Sequence, residues 1–180
     1  EACRPDFVVL PTTTQQVADV VRVCRGAGLP FVPRGAGTGL SGGAHPVPGS
    51  VVIECSRMKS IVEVDSDNRL AVVQPGVVNA DLSAAVAPFG LFYAPDPSSQ
   101  LVCTIGGNVA ENSGGPHTLK YGATTQHVLA LEVVLPDGEV LRLGSRTGMA
   151  SGFDLVGAFV GSEGTLGIVT EVTVRLSEIP

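Results

Sequence analysis

The sequence has few cationic side chains, and this scarcity excludes two classes of partner. Lys and Arg together number 11 against 17 Asp and Glu, which gives a net charge of -6 and a pI of about 4.9. Proteins whose main partner is nucleic acid or an anionic membrane cluster Lys and Arg on one surface. We therefore expect neither partner, and we expect backbone amides to hold any anionic ligand.

Long apolar runs and cysteine pairs are absent as well. The apolar stretch 128–135 is interrupted by Glu132 and falls well short of the ~20 residues that a membrane-spanning helix needs. The four cysteines are scattered without any CxxC spacing, which favours neither a zinc site nor a disulfide framework. We expect no transmembrane segment, no metal, and a reduced protein of the cytoplasm.

Apolar residues and glycine are what the sequence has in abundance. Hydrophobic residues make up 44 % of the 180 residues, charged residues 16 %, and the mean hydropathy is +0.33. A chain of this length and composition buries a core and folds as one unit. The 23 glycines and 13 prolines are clustered rather than spread evenly, so each cluster is a candidate for a specific role.

The first part of the chain has the pattern of a β-α-β-loop-β lobe. Strands are predicted at 7–10, 31–33 and 51–55 from their Val, Ile and Phe content. A helix is predicted to begin after Thr13 or Thr14, and Gly26 and Gly28 together are predicted to end it. We assign residues 1–57 to this N-terminal lobe.

Residues 58–180 form the predicted C-terminal lobe, which has an antiparallel pattern. Segments 61–65 and 70–74 suit a hairpin, and segments 129–135 and 139–143 suit a second one around the Asp-Gly turn at 137–138. The remaining predicted elements are helices at 80–86 with Asn79 as cap and at 155–159 with Asp154 as cap, and a strand at 168–176.

Residues 33–43, with the sequence PRGAGTGLSGG, are the most informative segment. Glycines accept positive φ, so consecutive amides of such a loop can curve around one anion, and a pyrophosphate suits this geometry. The run 37–42 also satisfies GxGxxG, but Pro46 and Pro48 follow where a Rossmann fold requires a helix. No Gly-Lys-Ser/Thr of a Walker A motif is present. The alternative to a phosphate loop is a loop that only turns the chain.

Two further glycine clusters follow. Residues 95–99 and 104–115, with the sequences PDPSS and TIGGNVAENSGG, offer small side chains that would allow close approach of a flat ring. We interpret Glu111, the one acid of 104–115, as a helix-surface residue. Residues 161–170, with the sequence GSEGTLGIVT, would leave a backbone edge bare just before a strand, where an adenine can pair.

These three clusters, in this order, resemble the PCMH-type FAD-binding domain of the vanillyl-alcohol oxidase and para-cresol methylhydroxylase superfamily. The resemblance covers essentially all of the chain, and it is greatest to the group of flavin subunits of bacterial glycolate oxidases and D-lactate dehydrogenases. It implies an α+β fold of two α/β lobes with FAD between them. The pyrophosphate would lie on 35–41, the isoalloxazine near 95–99 and 104–114, and the adenine near 164–169.

The resemblance also implies which residues contact FAD. On the phosphate side these are Arg34, Gly35, Ala36, Gly37, Thr38, Gly39, Leu40 and Ser41. On the ring side they are Pro75, Gly76, Pro95, Asp96, Ser98, Thr104, Gly106, Gly107, Asn108, Ala110, Asn112, Ser113, Gly114 and Tyr121. On the adenine side they are Gly164, Gly167, Ile168, Val169 and Glu163, the last as a ribose partner.

The three histidines bear on how FAD is held, because some members of this superfamily attach it covalently through histidine. His45 lies beyond the glycine loop rather than in a Gly-Gly-His pattern, and His127 opens a predicted strand, so we expect both to be structural and FAD to be non-covalent. His117 is the one candidate catalytic residue, at the edge of the flavin. No other acid–base pair, nucleophile arrangement or metal-ligand spacing emerges.

The implied reaction is hydride transfer from the Cα of a 2-hydroxy acid to flavin N5, with FAD supplying the redox chemistry. Relatives carry the residues that bind substrate in a C-terminal cap domain, which we expect to be absent from this chain, so the chain alone is expected to be inactive. Partner subunits of a glycolate oxidase complex are expected, with any membrane association through them. The alternatives are an oxidoreductase of the superfamily acting on D-2-hydroxyglutarate or an aryl or alkyl alcohol, a nicotinamide-binding module, and a scaffold without a cofactor.

Overall fold

The structure is a computed structural model and describes residues 3–148 and 152–180. In these residues the chain alternates strands and short helices around three sheets. The elements are, in chain order, β1 (Phe7–Val9), α1 (Thr14–Ala27), β2 (Phe31–Arg34), β3 (Val51–Glu54), β4 (Ile61–Asp65), β5 (Leu70–Val73), α2 (Asn79–Val86), β6 (Leu91–Phe92), α3 (Ile105–Glu111), α4 (Thr118–Tyr121), β7 (Val128–Val134), β8 (Val140–Gly144), α5 (Leu155–Phe159), β9 (Ile168–Arg175) and β10 (Ser177–Glu178).

A parallel sheet of order β1-β3-β2 forms the first part of the fold, with α1 crossing between β1 and β2. The helix begins where Thr13 accepts a hydrogen bond from the Gln16 N–H at 3.2 Å, and it ends at Gly28, whose φ is 66°. Its buried face repeats at helical spacing and packs on β3, through Val17, Ala18, Val21 and Cys24.

An antiparallel sheet of order β4-β5-β9-β7-β8 forms the second part. Its inner face packs against α2, α3 and α5 in a core that includes Val73, Leu82, Val109 and Val172. The short strands β6 and β10 pair with each other outside this sheet. This mixed arrangement of helices and sheets confirms the α+β class.

The two sheets are joined through α1. Val134 and Ile168, from β7 and β9, are buried in the same cluster as the inner face of α1. Thr14 Oγ1 donates to Glu132 Oε1 at 2.6 Å, and Arg22 Nη2 donates to the Gly138 carbonyl at 2.7 Å. These contacts fix the space between the two sheets.

Glu132 is the polar centre of this junction. Burial alone would raise the pKa of its carboxyl, but hydrogen bonds from Thr14, Arg142 and Thr170 together hold that pKa below its ordinary value. The carboxylate is therefore charged and partnered at neutral pH, as a group at a partly buried site must be.

The predicted strands and helices are confirmed with ends shifted by one or two residues, and two details are wrong. Asn79 is the first residue of α2 rather than its cap. It is buried, and its Nδ2 donates to the Pro95 carbonyl at 2.9 Å, which orients the side chain toward residue 95 rather than toward the N–H groups at the helix end. Gly26 lies within α1, and only Gly28 ends the helix.

The buried position of Gly76 predicts a strong effect on stability. A Cβ there would collide with the Cys55 carbonyl oxygen and lie 2.8 Å from that of Met58. Both obstacles are backbone atoms, so Gly76→Ala is expected to lower the free energy of unfolding by about 1–3 kcal/mol. Urea unfolding measures this change.

The matched control is Gly26→Ala, because nothing lies within 4 Å of its Cβ. Alanine at this helical position is expected to raise the free energy of unfolding by up to about 0.5–1 kcal/mol. Equal stabilities of the two variants would contradict the packing.

Burial of His127 predicts a pH dependence of stability. Its Nε2–H donates to the Tyr121 carbonyl at 2.9 Å, and burial lowers the pKa of the imidazole below its ordinary value. The unfolded chain then binds the proton more readily than the folded one. The contribution of buried His127 to the free energy of unfolding is fully present above the unfolded pKa of ~6.5. It is lost as pH falls below that value, by at most about 1.4 kcal/mol per pH unit.

The measurement is urea unfolding of the protein and of His127→Gln between about pH 7.5 and pH 5.5, a window on both sides of the ordinary histidine pKa. Glutamine keeps a hydrogen-bond donor but does not titrate, so the variant should lose less stability over this range. The same pH slope in both proteins would show that the pKa of His127 does not differ between the folded and unfolded states.

Candidate functional site

A cavity of ≈ 390 Å³ lies between the two sheets, within the range of cofactor-binding pockets. The three glycine clusters recognised in the sequence form its walls: the loop after β2, the segment around α3, and the loop before β9. Segments far apart in the chain therefore meet at one place.

The loop after β2 presents unpaired hydrogen-bond donors. Among the described residues, none accepts a hydrogen bond from any backbone N–H of residues 36–44. Gly37 and Gly42 have φ of 70° and 89°, which glycine adopts at little steric cost. Free amides along a curved segment are the arrangement that binds phosphate oxygens.

Of the described residues that line the cavity, Arg34 is the one with a cationic side chain. Its guanidinium lies directly beside Gly37, where it would collide with a Cβ, and its Nη1 donates to the Ala44 carbonyl at 3.1 Å. No ion pair of Arg34 occurs within residues 3–148 and 152–180. Its charge is therefore free to face an anion in the cavity.

The helix α3 lies along the wall of the cavity and contacts both glycine loops. At its start, Thr104 Oγ1 accepts a hydrogen bond from the Gly107 N–H at 3.2 Å and lies 2.5 Å from the position of a Cβ on Gly35. At its end, the Val109 and Ala110 carbonyls accept hydrogen bonds from the N–H groups of Gly161 and Glu163. A single short helix thus sets the distance between the two loops.

The loop before β9 has a strained backbone at Glu163, whose φ of 52° is uncommon for a residue with a side chain. Gly164 follows with φ of 77°, and a Cβ there would lie 2.7 Å from the Pro33 ring. Strain of this kind persists where surrounding contacts enforce it and is frequent at ligand sites.

The cavity is also lined by a buried amide side chain for which the described residues supply no strong hydrogen-bond partner. The Asn108 side chain is 1 % exposed, and its Nδ2 and Oδ1 find no hydrogen-bond partner among the described residues. The neighbouring Cys103 thiol, whose pKa is raised by burial, is only a weak partner. Free amides, one unpaired cation and walls made of glycine together fit a dinucleotide that carries a flat ring.

The structure brings most of the predicted FAD contacts to this cavity. Those that line it are Arg34, Gly35, Ala36, Gly37, Thr38, Gly39, Leu40, Ser41, Pro75, Ser98, Thr104, Gly106, Gly107, Asn108, Ala110, Ser113, Gly114, Glu163, Gly164, Gly167, Ile168 and Val169. Those that it does not bring to the lining are Gly76, Pro95, Asp96, Asn112 and Tyr121.

These five residues have other partners. Gly76 and Pro95 are buried in the surrounding chain. Asn112 ends α3 with φ of 49°, and its Oδ1 accepts a hydrogen bond from the Thr125 N–H at 3.0 Å. Tyr121 packs edge-on against Phe92 with ring centroids 5.6 Å apart. Asp96 pairs with His117.

The structure also brings to the cavity residues absent from the predicted set. They are Pro33, Gly43, Ala44, Cys55, Pro97, Ser99, Cys103, Glu111, Phe159 and Ser162. Glu111 corrects our interpretation of it as a helix-surface residue, because it faces the glycine loop and accepts a hydrogen bond from Ser41. The helical spacing offered a signal, since Glu111 lies three residues after Asn108 on the same face.

The histidines lie outside the lining of the cavity. His45 is exposed, and His127 is buried against Tyr93 and the Tyr121 carbonyl. His117 is 67 % exposed at the side chain, and its Nδ1 lies 2.6 Å from Asp96 Oδ2. Asp96 precedes Pro97 and Ser98, which do line the cavity, so this pair is adjacent to its wall.

Neither a metal centre nor a membrane span is found in the part of the chain that the structure describes. Its residues contain no group of three or more His, Cys, Asp or Glu that could hold a metal ion. None of its helices combines the length and apolar character needed to cross a bilayer.

Known proteins share both the sequence and the fold of this chain. Residues 5–144 match a family described as FAD binding domain. The chain is 54 % identical over 177 residues to the glycolate oxidase subunit GlcD of Escherichia coli K12, covering 98 % of this chain and 36 % of that protein. It is 43 % identical over 178 residues to a D-lactate dehydrogenase of Anaerostipes hadrus, covering 98 % of this chain and 37 % of that protein.

Among solved structures, an alkyldihydroxyacetonephosphate synthase matches with a TM-score of 0.84 and 29 % identity, over 96 % of this chain and 34 % of that one. The chain therefore spans a little over a third of the length of these curated relatives. The match to the family extends over most of the chain and includes the glycine loop and α3. The chain belongs to the FAD binding domain family, and its cofactor is FAD.

Proposed function

We propose that this domain holds FAD non-covalently between two lobes, residues 1–57 and 58–180, and that the whole protein oxidises a 2-hydroxy acid to a 2-oxo acid. The observation that carries the proposal is the cavity formed by the three glycine clusters, with its unpaired amides and unpaired Arg34. The relatives named glycolate oxidase subunit and D-lactate dehydrogenase support the substrate class.

The loop of residues 35–41 is proposed to bind the pyrophosphate. No described residue accepts a hydrogen bond from the N–H groups of residues 36–41, so these groups lose only water when phosphate oxygens arrive. Arg34 adds a charge-assisted hydrogen bond from the side of Gly37. The adenine is proposed to lie along residues 164–169, with Glu163 accepting a hydrogen bond from the ribose.

The isoalloxazine is proposed to lie near residues 95–99 and 104–114. Ser98, Gly106, Gly107 and Gly114 line this end of the cavity, and their small side chains allow a ring to approach the backbone. The Cys55 and Cys103 thiols in the lining stay protonated, because burial raises the pKa of each, that of Cys55 to about 12. This wall is thus chemically inert.

His117 is the catalytic residue that we propose. When bound, FAD supplies the acceptor for a hydride from the substrate Cα at flavin N5. The hydroxyl proton of the substrate must leave as the carbonyl forms, and a positioned base accepts it. Asp96 Oδ2 lies 2.6 Å from His117 Nδ1, which leaves Nε2 as the nitrogen that would accept the proton, and no described residue hydrogen bonds to Nε2.

The Asp96 carboxylate is held in place, which would orient this base. A Cβ on Gly115 would collide with the Asp96 carbonyl, and the His117 N–H donates to Asp96 Oδ1 at 3.3 Å. The side chain of Asp96 is 17 % exposed, so water competes little for its oxygens. A base with its orienting acid is the arrangement that general-base catalysis uses.

The location and partners are part of the same proposal. Cys24, Cys55 and Cys103 are buried free thiols, which supports a reducing compartment such as the cytoplasm. The relative named as a subunit of glycolate oxidase supports an assembly with partner subunits.

The pyrophosphate assignment is tested by Gly37→Val, which is expected to abolish FAD retention. A valine at φ 70° is strained, and its side chain would displace Arg34 from the loop. Gly49→Val is the matched control, because Gly49 has φ of 74° but lies outside the cavity lining. The measurement is the visible flavin spectrum of the purified proteins, followed by acid precipitation, which should release the flavin. FAD binding by Gly37→Val equal to that of the control would contradict the assignment.

The reaction is tested by anaerobic bleaching of the flavin in the whole protein. Glycolate or D-lactate is expected to bleach it, and His117→Gln is expected to slow this about 10² to 10⁴-fold through loss of the base. Dithionite should bleach both proteins at the same rate, because it needs no base. The exposed His45 provides the control variant His45→Gln. Bleaching by hydroxy acid as fast in His117→Gln as in the parent would refute the role of His117, and no bleaching in the parent would refute the substrate class.

A further inference from the structure

The proposed pyrophosphate loop is in contact with an acid of its own protein. Glu111 Oε2 accepts a hydrogen bond from Ser41 Oγ at 2.9 Å, and Glu111 Oε1 lies where it would collide with a Cβ on Gly39. Both oxygens of the carboxylate therefore lie against the loop. The carboxylate uses the Ser41 hydroxyl, one of the donors that the loop can offer to a phosphate.

The charge of Glu111 is not neutralised by a neighbouring cation. In residues 3–148 and 152–180, no Lys, Arg or His forms an ion pair with it, and Arg34 instead donates to the Ala44 carbonyl. Among the described residues, Arg34 and Glu111 thus flank the same amides, and a second carboxylate oxygen, Glu163 Oε2, lies 3.3 Å from the position of a Cβ on Gly43. An incoming phosphate is attracted by Arg34 and repelled by Glu111.

We propose that Glu111 competes with phosphate ligands for the glycine loop and lowers the affinity of the loop for each of them. This inference rests on the proposed position of the pyrophosphate. A carboxylate about 4 Å from a phosphate charge repels it. Even in a medium with the dielectric constant of water, this repulsion lowers the binding affinity at least about fivefold. A small anion has no other contacts to offset this repulsion. FAD has them, because its ring and adenine ends occupy the remainder of the cavity.

Glu111 therefore weakens most the occupancy of ligands that contact only the loop. Inorganic phosphate and pyrophosphate are such ligands, although the amides of the loop suit them, whereas FAD has contacts at both ends of the cavity. When FAD binds, the Glu111 carboxylate would release the Ser41 hydroxyl, which would then be free to donate to a phosphate oxygen.

The test compares the parent with Glu111→Gln, which keeps an oxygen to accept from Ser41 but removes the charge. Dissociation constants for FAD, ADP, inorganic pyrophosphate and riboflavin are measured by calorimetry at low ionic strength, where repulsion is least screened. We expect Glu111→Gln to bind FAD, ADP and pyrophosphate at least about fivefold more tightly. Riboflavin, which carries no phosphate, should bind equally to both proteins.

Two further variants separate charge at the loop from other effects. Glu139→Gln removes one negative charge from an exposed position outside the cavity lining and should leave all four affinities unchanged. Glu111→Met removes the charge with a different side chain and should also tighten ADP binding, so the test does not depend on one variant folding well.

The outcomes separate this inference from the proposed function. Unchanged or weaker binding of FAD and ADP by Glu111→Gln, with the parent binding FAD, would overturn the competition and leave FAD binding intact. An equal gain for riboflavin would also overturn it, because the effect would not depend on phosphate. Absence of FAD binding in every variant and in the parent would instead refute the site itself.

Discussion

The packing of α1 against the ends of β7 and β9 is the constraint on which the rest of the structure depends. Val134 and Ile168 are 0 % and 3 % exposed, and they share a core with the helix rather than with their own sheet alone. Burial of each such side chain contributes about 1.5–3 kcal/mol. The hydrogen bond from Thr14 to Glu132 fixes the orientation of α1 on the sheet at this apolar junction. The cavity exists only because the two sheets are held at this separation.

The walls of the cavity depend on glycines, because these residues have no side chain. A Cβ on Gly35 would meet Thr104, one on Gly106 would lie 2.6 Å from Pro75 Cβ, and one on Gly164 would meet Pro33. Each pair joins two segments of the wall. Glycine is therefore required here for close approach of protein to protein as well as for room for a ligand. This double role explains why the glycines cluster in three segments that are remote in sequence and adjacent in space.

The sequence predicted those features whose physical cause is local. Thr13 and Asp154 cap helices through hydrogen bonds three residues away, and Asp137 and Gly138 form their turn within four residues, so residue type and spacing suffice. Features set by tertiary contacts were missed. The Pro95 carbonyl draws Asn79 away from capping, and the orientation of α3 turns Glu111 toward the loop. Likewise, only part of a predicted segment lines the cavity: Pro97, Ser98 and Ser99 do, whereas Pro95 and Asp96 just before them do not.

The balance of charge follows from the same architecture. A protein with a net charge of -6 that binds a dianionic cofactor cannot rely on long-range attraction, because its overall field opposes the ligand. Attraction must come from short-range dipoles, and the N–H groups of residues 36–44, which donate to no acceptor in the described part of the chain, supply them. Dipoles act over shorter distances than charges, so a carboxylate at the loop, such as that of Glu111, opposes an incoming phosphate over a longer range than the amides attract it. A site built in this way admits an anion only when the rest of the ligand also fits, which makes the shape of the cavity the final determinant of what binds.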